Sequence, residues 1–354
     1  MSELPALGNL DSQAAGRTVV SCLDSQFLTG EKQPTEEYVE RRRDCTFFHP
    51  GAFVRLEPHV IAMLTCTFLG SAGAQAPTLA PARQVTHAEN YDPSFSPDGQ
   101  RFVFISLVAG REQLFIRSLD GREITQLTTD SVDHEDPAWS PDGSQIAFVA
   151  LTKTTEQIAV LPASGGPSRI LTPDSERAIH PNWLPDGQHI AYCTDDDLAP
   201  PKKNPAEIKV IDLATGARRT LITGGVNTYP AFSPDGRRIA FRRMLGETNS
   251  EVFVADSDGT GVHNLTNSPA FDGWPAWSPD GTRLVFASNR DGDYQVYVMD
   301  ADGQHVQLVA HTTGRATAPK WSPDGRTLYF PICKRVDTGF DCEIYAAEAP
   351  APVG

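Results

Sequence analysis

Positive charge is scarce in this sequence. Thirty Lys and Arg stand against forty-five Asp and Glu, a formal net charge of −15. The basic residues that do occur form no long cluster, so the counterion release that drives phosphate binding is missing and nucleic acid is excluded as a partner. An acidic surface confers solubility, and secondarily attracts cations or basic partners. Long apolar runs are also absent. The one candidate, Val60 to Ala76, is too short and too rich in small residues to span a membrane, so no stable membrane span is expected. No Gly-x-Ser-x-Gly segment occurs either, which removes the strand-turn-helix nucleophile of the α/β-hydrolases.

What is abundant is turn-forming residues. Twenty-eight Gly and 28 Pro are spread through a chain that is 40% hydrophobic, which implies many short strands around a sizeable core. The turns recur with a fixed text: PSFSPDG at 93–99, PAWSPDG at 137–143, PNWLPDG at 181–187, PAFSPDG at 230–236, PAWSPDG at 275–281 and PKWSPDG at 319–325. Their last glycines stand 44 to 49 residues apart. A period in the forties, with room for four short strands per unit, predicts an all-β, six-bladed β-propeller with four antiparallel strands in each blade.

Each part of the unit has a physical reason. In Ser-Pro-Asp-Gly the proline presets φ, the aspartate caps the bend and the glycine takes a left-handed conformation. The turn joins the first strand of a blade to the second. The aromatic residue before it (Phe95, Trp139, Trp183, Phe232, Trp277, Trp321) is expected to wedge between blades as core. Unit six supplies three strands, and the text of the fourth stands at the other end of the propeller region. Ala82-Arg83-Gln84-Val85-Thr86 matches Ile124-Thr125-Gln126-Leu127-Thr128, so an N-terminal strand is expected to complete the last blade and close the ring.

Residues 1–76 carry no repeat. They end in the apolar run closing on a small-x-small triplet, the pattern of a secretory signal peptide cleaved after Ala76. About fifty polar residues precede the run, so the true start is read as lying downstream, near Val54; a retained anchor and a plain tail are the competing readings. The expected organisation is a leader over 1–76 and a propeller over 77–354, exported to the periplasm or secreted. Cys333 and Cys342 flank the turn of the last hairpin, at a spacing that suits a disulfide in an oxidising compartment. Cys193 stands alone in a strand and reads as a small buried hydrophobe.

The repeats resemble the WD40-like (PD40) units of the TolB-like propeller superfamily, over roughly residues 81–350. That resemblance implies fold more than function, because related propellers serve as binding proteins, peptidase gating domains and lyases. The periplasmic translocation protein of that name has an additional α/β domain, for which no room is left beyond the leader.

The face carrying the starts of the first strands is the expected binding face, through the central channel. Candidates there are Asp92, Glu135, Asp136, His180, Tyr229 and Trp274, just before each unit's first proline or one residue earlier. The first reading is a non-catalytic, monomeric propeller that binds a protein partner or small polar ligand there. The alternative is a channel lyase or hydrolase. No cofactor is required; a divalent metal would draw on His134, Asp136 and His180. Asp291-Gly292-Asp293 reads as a hairpin turn, and the insertion 194–205 as a lid, a protein contact or an inconsequential loop.

Overall fold

The turn text works as a closed set of hydrogen bonds. In five units the serine hydroxyl donates to the aspartate two residues on, at 2.5–2.6 Å: Ser96–Asp98, Ser140–Asp142, Ser233–Asp235, Ser278–Asp280 and Ser322–Asp324. The same serine oxygen accepts the N–H of the first residue of the second strand, from Arg101 at 3.0 Å and from Arg283 at 2.9 Å. Bonds from the serine hydroxyl and from backbone N–H groups hold these carboxyls below the usual range. The third unit has Leu184 in the serine's place, and there Asp186 turns to His189 at 2.7 Å.

These turns organise the described residues. The structure, a computed structural model, describes residues 79, 81–86, 90–195, 205–336 and 339–353. Within them lie six antiparallel sheets and no helix, hence none long and apolar enough to cross a membrane. The innermost strands are Asn90–Phe95, Asp133–Trp139, Ile179–Trp183, Asn227–Phe232 and Asp272–Trp277, with the pair Arg315–Ala316 and Lys320–Trp321 in the sixth blade. The leader 1–76 and most of the insertion, residues 196–204, lie outside the described residues.

Adjacent blades are locked by the aromatic wedge. The indole N–H of Trp183 donates to the carbonyl of Ala138 in the preceding blade at 2.9 Å, that of Trp277 to Ala231 at 3.0 Å, and that of Trp321 to Ala276 at 3.2 Å. An arginine from the preceding blade's second strand covers the ring: Arg101 over Trp139, Arg238 over Trp277 and Arg283 over Trp321, 4.5–5.2 Å from the centroid. A buried N–H satisfied by the neighbour, with a cation on the π face, makes the interface directional as well as apolar.

The ring closes as the sequence predicts. Arg83–Gln84 pairs with Gly339–Glu348 of the sixth blade, Arg83 opposite Ala346 and Gln84 opposite Tyr345. The side chains repeat the chemistry of a true fourth strand. The Thr86 hydroxyl accepts the N–H of Ile344 at 3.0 Å, as Thr128 accepts from Leu114, Thr172 from Ile158 and Thr266 from Val252. Gln84 donates to the Thr86 carbonyl at 2.8 Å, as Gln126 does to that of Thr128. In the last hairpin, Thr327–Val336 against Gly339–Glu348, Cys333 and Cys342 face each other and are disulfide-bonded. Asp291-Gly292-Asp293 is a hairpin turn closed by Gly292 N–H to the Asn289 carbonyl at 3.0 Å.

Candidate functional site

Every inner strand breaks its pairing at the same point. The register shifts between Tyr91 and Ser94, Glu135 and Ala138, Ile179 and Asn182, Thr228 and Ala231, and Gly273 and Ala276. At each shift the residue before the repeat's first proline is left-handed: Asp92 (φ 50°), Asp136 (48°), His180 (53°), Tyr229 (53°) and Trp274 (53°), with Ala318 (42°) in the sixth blade. Six non-glycine residues in a conformation that costs each about 1 kcal/mol are strain at equivalent positions, the kind of outlier that marks functional surfaces.

The bulges place these six side chains around one cavity of about 540 Å³. Two residues further along each strand, Ser94, Ala138, Asn182, Ala231, Ala276 and Lys320 form the next tier of its wall. Asp92, Asp136, His180, Tyr229 and Trp274 are thus brought together.

Glu135 is not with them. Successive residues of a strand face opposite sides, and Glu135 points behind the wall, where it is buried beside Glu112. Glu112 also accepts a hydrogen bond from the Tyr91 hydroxyl. Burial raises Glu112 above the ordinary carboxyl range and pushes the Tyr91 phenol up.

His134 likewise leaves the proposed metal set. Its Nε2 meets Asp130 Oδ1 at 3.0 Å, its ring stands edge-on to Phe148, and it does not line the cavity. His180 is held within the fold by its neighbours. Nδ1 lies 3.0 Å from Cys193 Sγ and Nε2 3.6 Å from Asp136 Oδ2, while the ring stacks on Tyr229 at 3.8 Å between centroids. Burial holds His180 well below its usual pKa, assisted by the charges of Arg242, Arg177 and Lys320, so the imidazole is neutral. Cys193 is fully buried, which makes its thiol a packing group and not an exposed nucleophile. Among the described residues no three His, Cys, Asp or Glu side chains form a metal-holding group.

The wall has two unlike halves. On the side of blades four and five, Tyr229 and Trp274 lie 5.4 Å apart, with Phe271 and Tyr294 packed against Trp274. Behind them is Arg242, only 1% exposed, its guanidinium 4.7 Å from the Tyr229 ring centroid and 5.6 Å from that of Trp274. Its Nε donates to Thr228 Oγ1 at 2.8 Å, and Gly273 leaves room for its stem, since a β-carbon there would lie 2.9 Å from Arg242 Cδ.

The opposite half is ionic. Lys320, absent from the sequence-derived candidates, sits between the fields of Asp92 and Asp136; burial lowers its pKa and the two carboxylates oppose that. Its signal was available, because the residue between proline and aromatic is Ser, Ala, Asn, Ala and Ala in the other five repeats and charged only here.

Asp92 gives a signed pH prediction. Burial raises it from 3.8 to about 6 despite Lys320. The folded state therefore holds the proton more tightly, and the group's contribution is present below pH 4 and lost as pH rises toward 6. Asp92→Asn, which suits a left-handed backbone, should stabilise the protein by about 1–2 kcal/mol at pH 7.5 and by little at pH 4. Urea titrations at the two pH values check this; equal gains at both would contradict it.

The family model described as TolB beta propeller domain matches residues 81–200 and 168–339. A solved structure of a TolB candidate from Agrobacterium tumefaciens is 25% identical, with a TM-score of 0.57, covering 76% of this chain and 97% of that one. TolB from Acinetobacter baumannii is 20% identical at a TM-score of 0.57, over 74% of this chain; the match spans 64% of the Acinetobacter protein. An oligogalacturonate lyase in complex with manganese shares the fold at 14% identity and a TM-score of 0.52, over 77% of this chain and 98% of that one. No curated protein matches.

Proposed function

Since this chain belongs to the TolB β-propeller family, we propose that it is an exported, monomeric, non-catalytic binding propeller. Its channel mouth would take a small polar ligand or a segment of a protein partner. The observation that carries this reading is the ring of six left-handed residues, five of them with polar or aromatic side chains turned into a single cavity. Rigid placement of side chains before any ligand arrives lowers the ordering cost of binding. Binding is favoured over turnover because the most basic-looking group, His180, already spends Nδ1 on Cys193 and directs Nε2 toward Asp136. The disulfide in the last blade supports an oxidising compartment, periplasmic or extracellular.

The test is isolation of the full chain from its native envelope, followed by native mass spectrometry. Wild-type protein should carry a bound species that Trp274→Ala, checked for native circular dichroism, fails to retain. Retention of the same species by the variant would move the binding site away from the channel.

A further inference from the structure

The two halves of the channel differ in charge as well as in shape. The wall holds two carboxyl groups, Asp92 and Asp136, against one amine, Lys320, and the neutral His180, an excess of one acidic group. The layer behind reinforces this polarity. Glu112 and Glu135 lie behind the Asp92 side, and Arg242 lies behind the Tyr229 and Trp274 side. The field therefore runs across the cavity, negative at blades one and two and positive beneath the aromatic wall of blades four and five.

This arrangement selects among ligands. A cation on one face of an aromatic ring draws the π density toward itself, so the opposite face gains little from a second cation and accepts an electron-rich ring well. A cationic head is instead favoured at Asp92 and Asp136, whose two carboxyl groups exceed the single amine of Lys320 between them. A cavity of about 540 Å³ admits one small molecule or one or two side chains, and no folded partner.

We infer that the channel binds an amphipathic amine: a primary ammonium at Asp92 and Asp136, carried on an electron-rich planar body that lies over Tyr229 and Trp274. This rests on the binding role proposed above and names its ligand chemistry. The ammonium has two possible sources, a free small amine or a lysine side chain beside an aromatic residue in a peptide. Their contacts in the cavity would be the same.

Calorimetric titration of the full chain at pH 7.5 and low salt separates these cases. The probes are tryptamine, indole-3-propionate, which has the same ring and the opposite charge, and an N-acetylated Lys-Trp dipeptide amide. At least one amine probe should bind about tenfold more tightly than indole-3-propionate, and Asp136→Asn should weaken it about tenfold. Tryptamine alone binding would assign a free amine; the dipeptide alone binding would assign a basic peptide segment.

Failure of both amines, an equal or tighter hold on indole-3-propionate, or unchanged affinity in Asp136→Asn would overturn the inference. The comparison of oppositely charged probes uses wild-type protein, so it stands even where the variant folds poorly. If both amines fail while the envelope-derived species still depends on Trp274, the channel remains the binding site and only the amine assignment falls.

Discussion

Deleting residues 81–86 is expected to abolish the single cooperative unfolding transition and drive the protein into oligomers. The segment supplies the fourth strand of the sixth blade, including Val85 N–H to the Ile344 carbonyl at 2.7 Å and the Thr86 hydroxyl bonded to both Ile344 and Glu343. Ala82 and Val85 also pack against the apolar clusters of that blade. Several hydrogen bonds at about 1 kcal/mol each, with the apolar burial that accompanies them, amount to about 4–6 kcal/mol. That is a large part of the stability of an ordinary domain, about 5–15 kcal/mol. The loss also uncovers the edge of Gly339–Glu348, a row of backbone donors and acceptors ready to pair with another chain. Light scattering on a sizing column and a thermal melt read both effects; a monomer with an unchanged melt would show that closure does not depend on this strand.

The second large effect is expected at Gly259. It stands in the turn between the third and fourth strands of blade four with φ at +90°, and a β-carbon would fall 2.2 Å from the backbone oxygen of Leu221 in blade three. Gly303 repeats the arrangement in blade five, 2.7 Å from the Leu265 oxygen with φ at +87°. Neither oxygen belongs to a flexible side chain, so the blades themselves must part. Gly259→Ala should cost about 3–5 kcal/mol, the clash adding to the left-handed penalty. Gly292→Ala supplies the control, because that glycine has φ at +112° and nothing within 4 Å of its would-be β-carbon. Chemical denaturation should find the control losing only about 1–2 kcal/mol; equal losses would mean that the approach between blades does not matter.

How much of this the sequence discloses depends on how local the cause is. The Ser-Pro-Asp-Gly turn is legible because its hydrogen bonds lie within five residues, and its recurrence then counts the blades. The closing strand is legible for the same reason, since Gln84 and Thr86 repeat the chemistry of Gln126 and Thr128. Five rim residues follow from one rule of position, the residue before the first proline. Glu135 shows that the rule does not extend by one residue: it adjoins Asp136 in the chain yet faces the opposite side of the strand. Arg242 was beyond reach altogether. It lies on a second strand, among apolar neighbours, and only the stacking of blades four and five sets it beneath Tyr229 and Trp274.

The left-handed bulge also bears on how such a ring can change. Its backbone path is the same for aspartate, histidine, tyrosine, tryptophan and alanine, so side-chain identity at these positions is uncoupled from the geometry of the blade. Each position is a socket with a fixed aim, and the wedges, turns and closing strand need not be retuned when its content is exchanged. Ala318 is the socket left nearly blank. A polar or aromatic side chain installed there would enter the cavity beside Lys320 and Trp274, making it the natural place to redirect what the channel accepts without rebuilding the propeller around it.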